Sequence, residues 1–388
     1  MTIDAASLPN VQIVHRPGVI DLGWGHPDPA LLPVDGLRLA ATEALDRHGA
    51  EALAYGSERG PGPLLRWLIG YLGRVEGVAP AADEIIITGG ISQAFDQVCT
   101  LLTQPGDVVL VEQPTYHLAV RILREHPLEL VPVASDVGGL QPEAVAEAIT
   151  AVRRTGRTPR FLYTVPTFNN PTGVSLAAER RRALIDLAVA EGLLIVEDDA
   201  YRELFYDGPA PPSLWSIAPR GTVVRLGSFS KVVAPGLRLG FLTADAAIIE
   251  RFRGGGLLDS GGGTTHFSAN VAAAFCEAGC FEDQGAALRA TYRARRDALA
   301  AALTEYLPEG VRWTLPAGGF FFWLDLPPGL DTNDLMARAA AGGVGYAPGS
   351  RFYVGAGGER AARLAFGLYP KDQLIEAARR LGAVLRGR

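Results

Sequence analysis

The sequence predicts an α/β fold: a large domain built on a mostly parallel sheet with helices on both faces, followed by a smaller α+β domain. Three observations carry this. The middle of the chain alternates short, β-rich apolar runs with longer segments that are apolar at helical spacing, the pattern of a parallel sheet buried on both faces. At 388 residues, 48% hydrophobic and 20% charged, the chain is too long for one small domain. After about residue 280 the alternation stops and a different pattern begins.

In chain order, the strand runs are "EIIITGG" (84–90), "DVVLVEQPTY" (107–116), "RFLYTVP" (160–166), "LLIVEDDAY" (193–201), "TVVRLGSFSK" (222–231) and "GFLTAD" (240–245). Between them lie helical patterns such as "SQAFDQVCTLLTQ" and "LAAERRRALIDLAVAEG". The C-terminal part opens with the Arg-rich amphipathic "QGAALRATYRARRDALAAALTEYL", then "GGFFFWLDLP", "VGYAPGSRFYV" and "AARLAFGLYP". The expected division is 1–45, a segment packing with the small domain, then 46–280, the large domain, and 281–388, the small one.

Net charge is −6 with no concentrated basic tract, which argues against a nucleic-acid binder. No apolar run approaches the roughly 18 to 20 residues of a membrane span. The start, "MTIDAASLPNVQIVHRPG", lacks the pattern of a signal peptide. Cys99, Cys276 and Cys280 are too few for a disulfide framework, and no second Cys/His pair accompanies the last two, so small core residues are the better reading than zinc. A cytoplasmic protein without a metal is expected.

Ligands of parallel sheets sit beyond the C-terminal strand ends. The unusual polar residues fall there: "TGGISQ", "EQPTY", "VPTFNNPTG", "EDDAY" and "GSFSK". A lone lysine after a strand is ordinarily unremarkable. Lys231, between Ser228, Ser230 and Arg238, suits a Schiff-base lysine held beside an anionic cofactor: the hydroxyls donate to phosphate oxygens and the guanidinium supplies charge. Asp198 and Asp199 end an apolar strand, where carboxylates are costly unless paired. A metal is one partner, but further ligands are wanting; a pyridinium N–H is the better one, since a buried aspartate keeps such a ring protonated and electron-withdrawing. Tyr201 and Asn170 can bond a phenolic oxygen on that ring, although "NPTG" alone reads as a turn. Gly90, Ile91 and Ser92 open a helix and can present N–H groups to a phosphate. The stretch lacks the G-x-G-x-x-G of a dinucleotide fold. Tyr116 offers a flat face for a ring, or is a core aromatic.

Together, "NNPTG", "EDDAY", "GSFSKVVAPGLRLGF" and "ARLAF" resemble the fold-type-I pyridoxal-phosphate (PLP) aminotransferases of class I/II, most closely the 2-aminoadipate, kynurenine and aromatic aminotransferase branch. The likeness runs from about Gly23 to the C-terminus. It implies a seven-stranded, mostly parallel sheet, with Lys231 joined to PLP, Asp198 on the pyridine nitrogen, Asn170 and Tyr201 on the phenolic oxygen and Tyr116 stacked on the ring. Gly90, Ile91, Ser92, Ser228, Ser230 and Arg238 hold the phosphate. Arg363 grips the substrate α-carboxylate, with Asn170 and the backbone of Gly25. Tyr55 matches a tyrosine that reaches the partner subunit's phosphate, which implies a homodimer with shared sites. The implied reaction is ping-pong transfer of an amino group from an L-amino acid to a 2-oxo acid.

The chain departs from the family at the substrate gate. "GWGHPDP" stands where "GGLP" is common, placing Trp24 and His26 near the substrate, and the glycine-dense 253–268 is expected as a loop bordering the site. His266 there is either a recognition group or a packing residue. Because of these departures, a PLP-dependent lyase or synthase (elimination, replacement or cyclisation) is the alternative. A PLP-sensing transcriptional regulator needs an N-terminal DNA-binding domain, and fewer than 25 residues precede the gate motif, so an enzyme is expected.

Overall fold

The computed structural model describes residues 16–387. Its large sheet runs, from one edge, Ile85–Thr88, Gly240–Thr243, Val223–Ser228, Leu194–Asp199, Pro159–Thr164, Val108–Gln113, Glu129–Asp136 and Gly139–Leu140. From Val223–Ser228 through to Glu129–Asp136 all neighbours are parallel. Gly240–Thr243 is antiparallel to both neighbours, because the chain reaches it through a short connection carrying only the 3-10 turn Pro235–Leu237. A parallel return needs a longer crossover. Gly139–Leu140 is a two-residue hairpin partner that makes the strand count eight.

The strand Glu129–Asp136, "ELVPVASD", is absent from the six apolar runs read in the sequence. Only Val133 of its eight residues is fully buried and Pro132 interrupts it, so it carries no continuous apolar signal.

The two faces of the sheet are covered by different helices. Ile91–Leu102 buries Ala94, Phe95, Val98, Cys99 and Leu102, a stripe at helical spacing, against Val109, Val111, Phe161, Tyr163 and Val196. Ala178–Glu191 packs Leu184, Ile185 and Ala188 into a second cluster with Leu110, Leu162 and Ile195. Successive strand residues thus enter opposite clusters, as a pleated strand requires. No helix among the described residues is long and apolar enough to cross a membrane.

The C-terminal part contains a four-stranded antiparallel sheet in the order Arg312–Trp313, Phe321–Asp325, Ala361–Ala365 and Ala347–Pro348, flanked by the long helix Cys280–Tyr306 and the helix Lys371–Leu385. Ile20–Asp21 pairs in parallel with Val344–Gly345, and Leu22 O accepts from Ala365 N, tying the start of the described chain to this part. The expected boundary at 45/46 falls inside the helix Val34–His48. That helix packs on His266–Glu277, with Gly36 so close to Phe275 that a Cβ would meet its ring at 2.9 Å.

Candidate active site

Five strand ends deliver the polar residues to one edge of the sheet. Ile85–Thr88 runs parallel to Val223–Ser228 because both are antiparallel to Gly240–Thr243, so its C-terminus joins those of the four central strands.

At one end of the site, Gly90 caps the helix Ile91–Leu102 with φ of 87°, a left-handed conformation that favours glycine. A Cβ there would lie 2.9 Å from Arg238 Nη2, and one on Gly240 would lie 3.0 Å from Gly90 Cα. The close approach places the exposed Arg238 beside the helix N-terminus. The Ser230 N–H donates to Ser228 Oγ at 3.0 Å, coiling the strand exit around the same spot. Free helix-terminal N–H groups, two hydroxyls and a guanidinium are the donor set of a phosphate site.

Asp198 is buried at the end of Leu194–Asp199. Its Oδ2 accepts from the Tyr163 hydroxyl at 2.8 Å, while Oδ1 is buried without a partner. Burial pushes its carboxyl up to about 6 despite that hydrogen bond, so it is chiefly ionised at neutral pH. A buried, ionised and half-satisfied carboxylate is an acceptor waiting for a cationic N–H.

Lys231 Nζ lies 5.5 Å from the centre of the Tyr201 ring and 6.0 Å from that of Phe320. Desolvation holds its amine down at about 8; Asp198 pulls it up, and Arg363 and Arg238 push it down further. Tyr201 is buried, with Asn170 near enough to its hydroxyl to favour the ionised phenol. Tyr116 precedes the helix His117–Glu125, and burial followed by the charge of Asp198 raises its phenol to about 12.

Arg363, on Ala361–Ala365, crosses from the C-terminal part. Its Nη1 donates to Asn170 Oδ1 at 2.7 Å and its Nη2 to Gly23 O at 2.6 Å, while Nε is buried without a partner. The guanidinium carbon lies over the rings of Phe321 at 4.4 Å and Phe352 at 4.8 Å. Burial lowers it to about 10, still cationic at neutral pH. A Cβ on Gly25 would strike Phe321 at 2.8 Å, so only glycine lets this backbone lie beside the arginine. Trp24 meets His26 edge-on at 5.9 Å. Burial, then the charges of Lys231 and Arg363, lower His26 to about 4, so it stands neutral between the two cations.

Two expected residues lie elsewhere. Tyr55 is 87% exposed on the surface of the single chain. His266 packs against the Gly56 backbone, with its Nε2 3.0 Å from Glu51 O and 3.1 Å from Asn270 Nδ2, the position of a packing residue. The stretch 253–268 is not a plain loop: it contains the helix Gly256–Gly261 and enters His266–Glu277. A Cβ on Gly262 would fall 2.1 Å from Gly56 O, so glycine there serves close backbone approach.

The sequence reading missed Tyr163, the ring pair around Arg363, and an ionic cluster behind Asp199. In that cluster Arg225 reaches Asp199 at 2.8 Å and Glu76 at 3.0 Å, and Arg202 reaches Glu76 at 2.8 Å. Tyr163 was visible as the one polar-tipped aromatic in "RFLYTVP"; Glu76 is too distant in sequence to be connected with Asp199.

Orphaned Asp198 Oδ1, the Gly90–Arg238 cradle and the Lys231 amine fit a phosphorylated pyridine aldehyde. A family model described as aminotransferase class I and II matches residues 17–381. The chain is 33% identical to aromatic-amino-acid aminotransferase 1 of Thermococcus litoralis, over 97% of this chain and 90% of that one. It resembles the crystal structure of Pyrococcus horikoshii kynurenine aminotransferase with a TM-score of 0.91 and 34% identity, over 95% of this chain and 91% of the other. Against LysN, the alpha-aminoadipate aminotransferase of Thermus thermophilus, complexed with N-(5'-phosphopyridoxyl)-L-leucine, the TM-score is 0.84 at 32% identity, over 96% and 93% of the two chains.

Proposed function

Because this chain belongs to the class I and II aminotransferases, we propose that Lys231, Asp198 and Arg363 are its proton-transfer, ring-nitrogen and carboxylate-binding groups. The protein is a fold-type-I, PLP-dependent aminotransferase that moves an amino group from an amino acid to a 2-oxo acid. The observation that carries the residue assignment is the half-satisfied Asp198 carboxylate, buried on the same sheet edge as Lys231.

When bound, PLP supplies an aldehyde that takes up amines and a ring that withdraws charge from the attached carbon. The rest falls to the chain. The Gly90, Ile91 and Ser92 backbone with Ser228, Ser230 and Arg238 binds the phosphate, and Tyr116 covers the ring. Asp198 Oδ1 holds the proton on the ring nitrogen, while Asn170 and Tyr201 bond the phenolic oxygen. Arg363 fixes the substrate carboxylate against the Gly25 backbone, which disfavours its loss as carbon dioxide. Lys231, with an amine near 8, is partly neutral at working pH and removes the proton from Cα. With PLP bound, Lys231 would be the group that carries this proton in both half-reactions, the second of which would pass the amino group to a 2-oxo acid.

Trp24 and His26 face the substrate side chain, and the neutral His26 adds no cation there. The substrates fall within the range carried by the names of the relatives, aromatic or 2-aminoadipate-like amino acids. The enzyme is a cytoplasmic homodimer. Exposed Leu39, Leu53, Val34 and Phe267 lie on elements that pack together beside the exposed Tyr55, an apolar face suited to a second copy that places Tyr55 at the partner's phosphate. The catalytic unit is the large sheet with its helices, joined to the C-terminal part through Arg363.

A panel of amino acids, scored by conversion of PLP to pyridoxamine phosphate and by mass of the oxo acid released, tests this reading. Conversion by an aromatic or long-chain acidic amino acid supports it; no conversion by any α-amino acid contradicts it.

A further inference from the structure

We propose that Tyr163 is a positioning residue that acts through Asp198, orienting its carboxylate and keeping it ionised so that Oδ1 serves the ring nitrogen of the cofactor. This rests on the assignment of Asp198 to that nitrogen. Tyr163 lies on Pro159–Thr164, the strand beside Asp198's own, and is fully buried. Its hydroxyl donates to Asp198 Oδ2 at 2.8 Å. The ring cannot swing away, because Phe95 lies against it with centroids 4.6 Å apart and Phe161 backs Phe95 at 6.4 Å. One carboxylate oxygen is therefore occupied by a donor fixed in space, and the other is left bare.

The direction of the hydrogen bond is set by the surroundings. Burial, then the charge of Asp198, drives the Tyr163 phenol well above its ordinary range, so it keeps its proton and donates it to the ionised carboxylate, which can only accept. Asp198 is also faced by Tyr116, which precedes the helix His117–Glu125, by Asp199 and Tyr201 from its own strand end, and by Lys231 beyond Val223–Ser228. Asp199 disfavours its charge and Lys231 favours it. Tyr163 is the side-chain donor that meets the carboxylate directly. A donated hydrogen bond stabilises the charged form of the acceptor. Its removal raises the proton affinity of Asp198 and shifts the shared proton away from the ring nitrogen.

The test uses apoprotein reconstituted with PLP carrying a 15N-labelled ring, for wild type, Tyr163→Phe, Asp198→Asn and the double variant. Tyr163→Phe deletes one oxygen and keeps the packed ring; far-UV circular dichroism checks the fold. The dissociation constant for PLP is followed from about pH 5 to about pH 8. In Tyr163→Phe the acid limb of the profile is expected about one pH unit higher, affinity about twofold weaker near neutrality and approaching tenfold weaker at the acid end, and the 15N resonance shifted toward the unprotonated ring. In the Asp198→Asn background Tyr163→Phe should add nothing. An unchanged profile and resonance in Tyr163→Phe, with both altered in Asp198→Asn, overturns the role of Tyr163 and leaves Asp198 in place. An unchanged resonance in Asp198→Asn overturns the assignment of Asp198 and the proposal with it.

Discussion

Asp198 and Asp199 are consecutive, equally buried, and turned to opposite faces of one strand: Asp198 meets Tyr163 at 2.8 Å, and Asp199 meets Arg225 Nη2 at 2.8 Å. The alternation of a pleated strand divides the labour between them. Each keeps a buried Oδ1 without a partner, but Asp199 is neutralised by the Arg225 guanidinium, whereas the side chain that Asp198 meets is the neutral Tyr163 phenol. Asp198→Asn should therefore lower transamination by orders of magnitude, since a neutral amide cannot hold the ring nitrogen protonated. Asp199→Asn should be milder, because Arg225 retains Glu76. Steady-state rates of the two variants check this, and a reversed order means that the roles are exchanged.

Asp199 belongs instead to stability. Arg225→Ala leaves Asp199 and Glu76 buried with a single cation, Arg202, between them. Breaking such a cluster by removing one partner costs about 3–5 kcal/mol. Urea unfolding of the apoprotein should show a loss of that order, and a loss no larger than that of a surface Arg→Ala control would show the cluster to be inert.

Arg363 is held ready by Asn170 and Gly23, so its role is readable in substrate selectivity. Arg363→Ala should weaken α-amino acids roughly 100-fold or more in kcat/KM. The matching amines, which lack the carboxylate, should lose far less. Equal losses for both would remove Arg363 from carboxylate binding.

The amine of Lys231 must be neutral to attack the PLP aldehyde, and burial places its pKa at about 8. Below that value the neutral fraction grows tenfold with each pH unit; above it the fraction saturates. Stopped-flow capture of PLP by the apoprotein should follow this curve, rising with pH and flattening above about 8. A rate independent of pH across that value would mean that the amine is not the limiting group. Borohydride should then fix PLP on Lys231, and Lys231→Ala should bind PLP without a covalent bond.

Much of this architecture was legible along the chain. Lys231, Asp198 and the helix-opening Gly90 sit where apolar strand runs end, and a strand end is a local signal. Glu129–Asp136 was not legible, because a half-exposed strand with Pro132 has no apolar run. The Gly240–Thr243 reversal depends on the length of a connection, and the Arg225–Glu76 contact on tertiary packing. His26 between Lys231 and Arg363 could be named from the gate motif, but its neutral state follows only from burial beside two cations.

The measurement closest to the central claim is a single-substrate reaction of the holoenzyme. With one reactive amino acid and no oxo acid, transamination must stop after one stoichiometric conversion of PLP to pyridoxamine phosphate, because the amino group has nowhere to go. Addition of 2-oxoglutarate or another oxo acid should restore the PLP spectrum and permit turnover. Sustained multiple turnover on the amino acid alone, with no pyridoxamine phosphate accumulating, would contradict amino transfer and mark the site as that of a lyase.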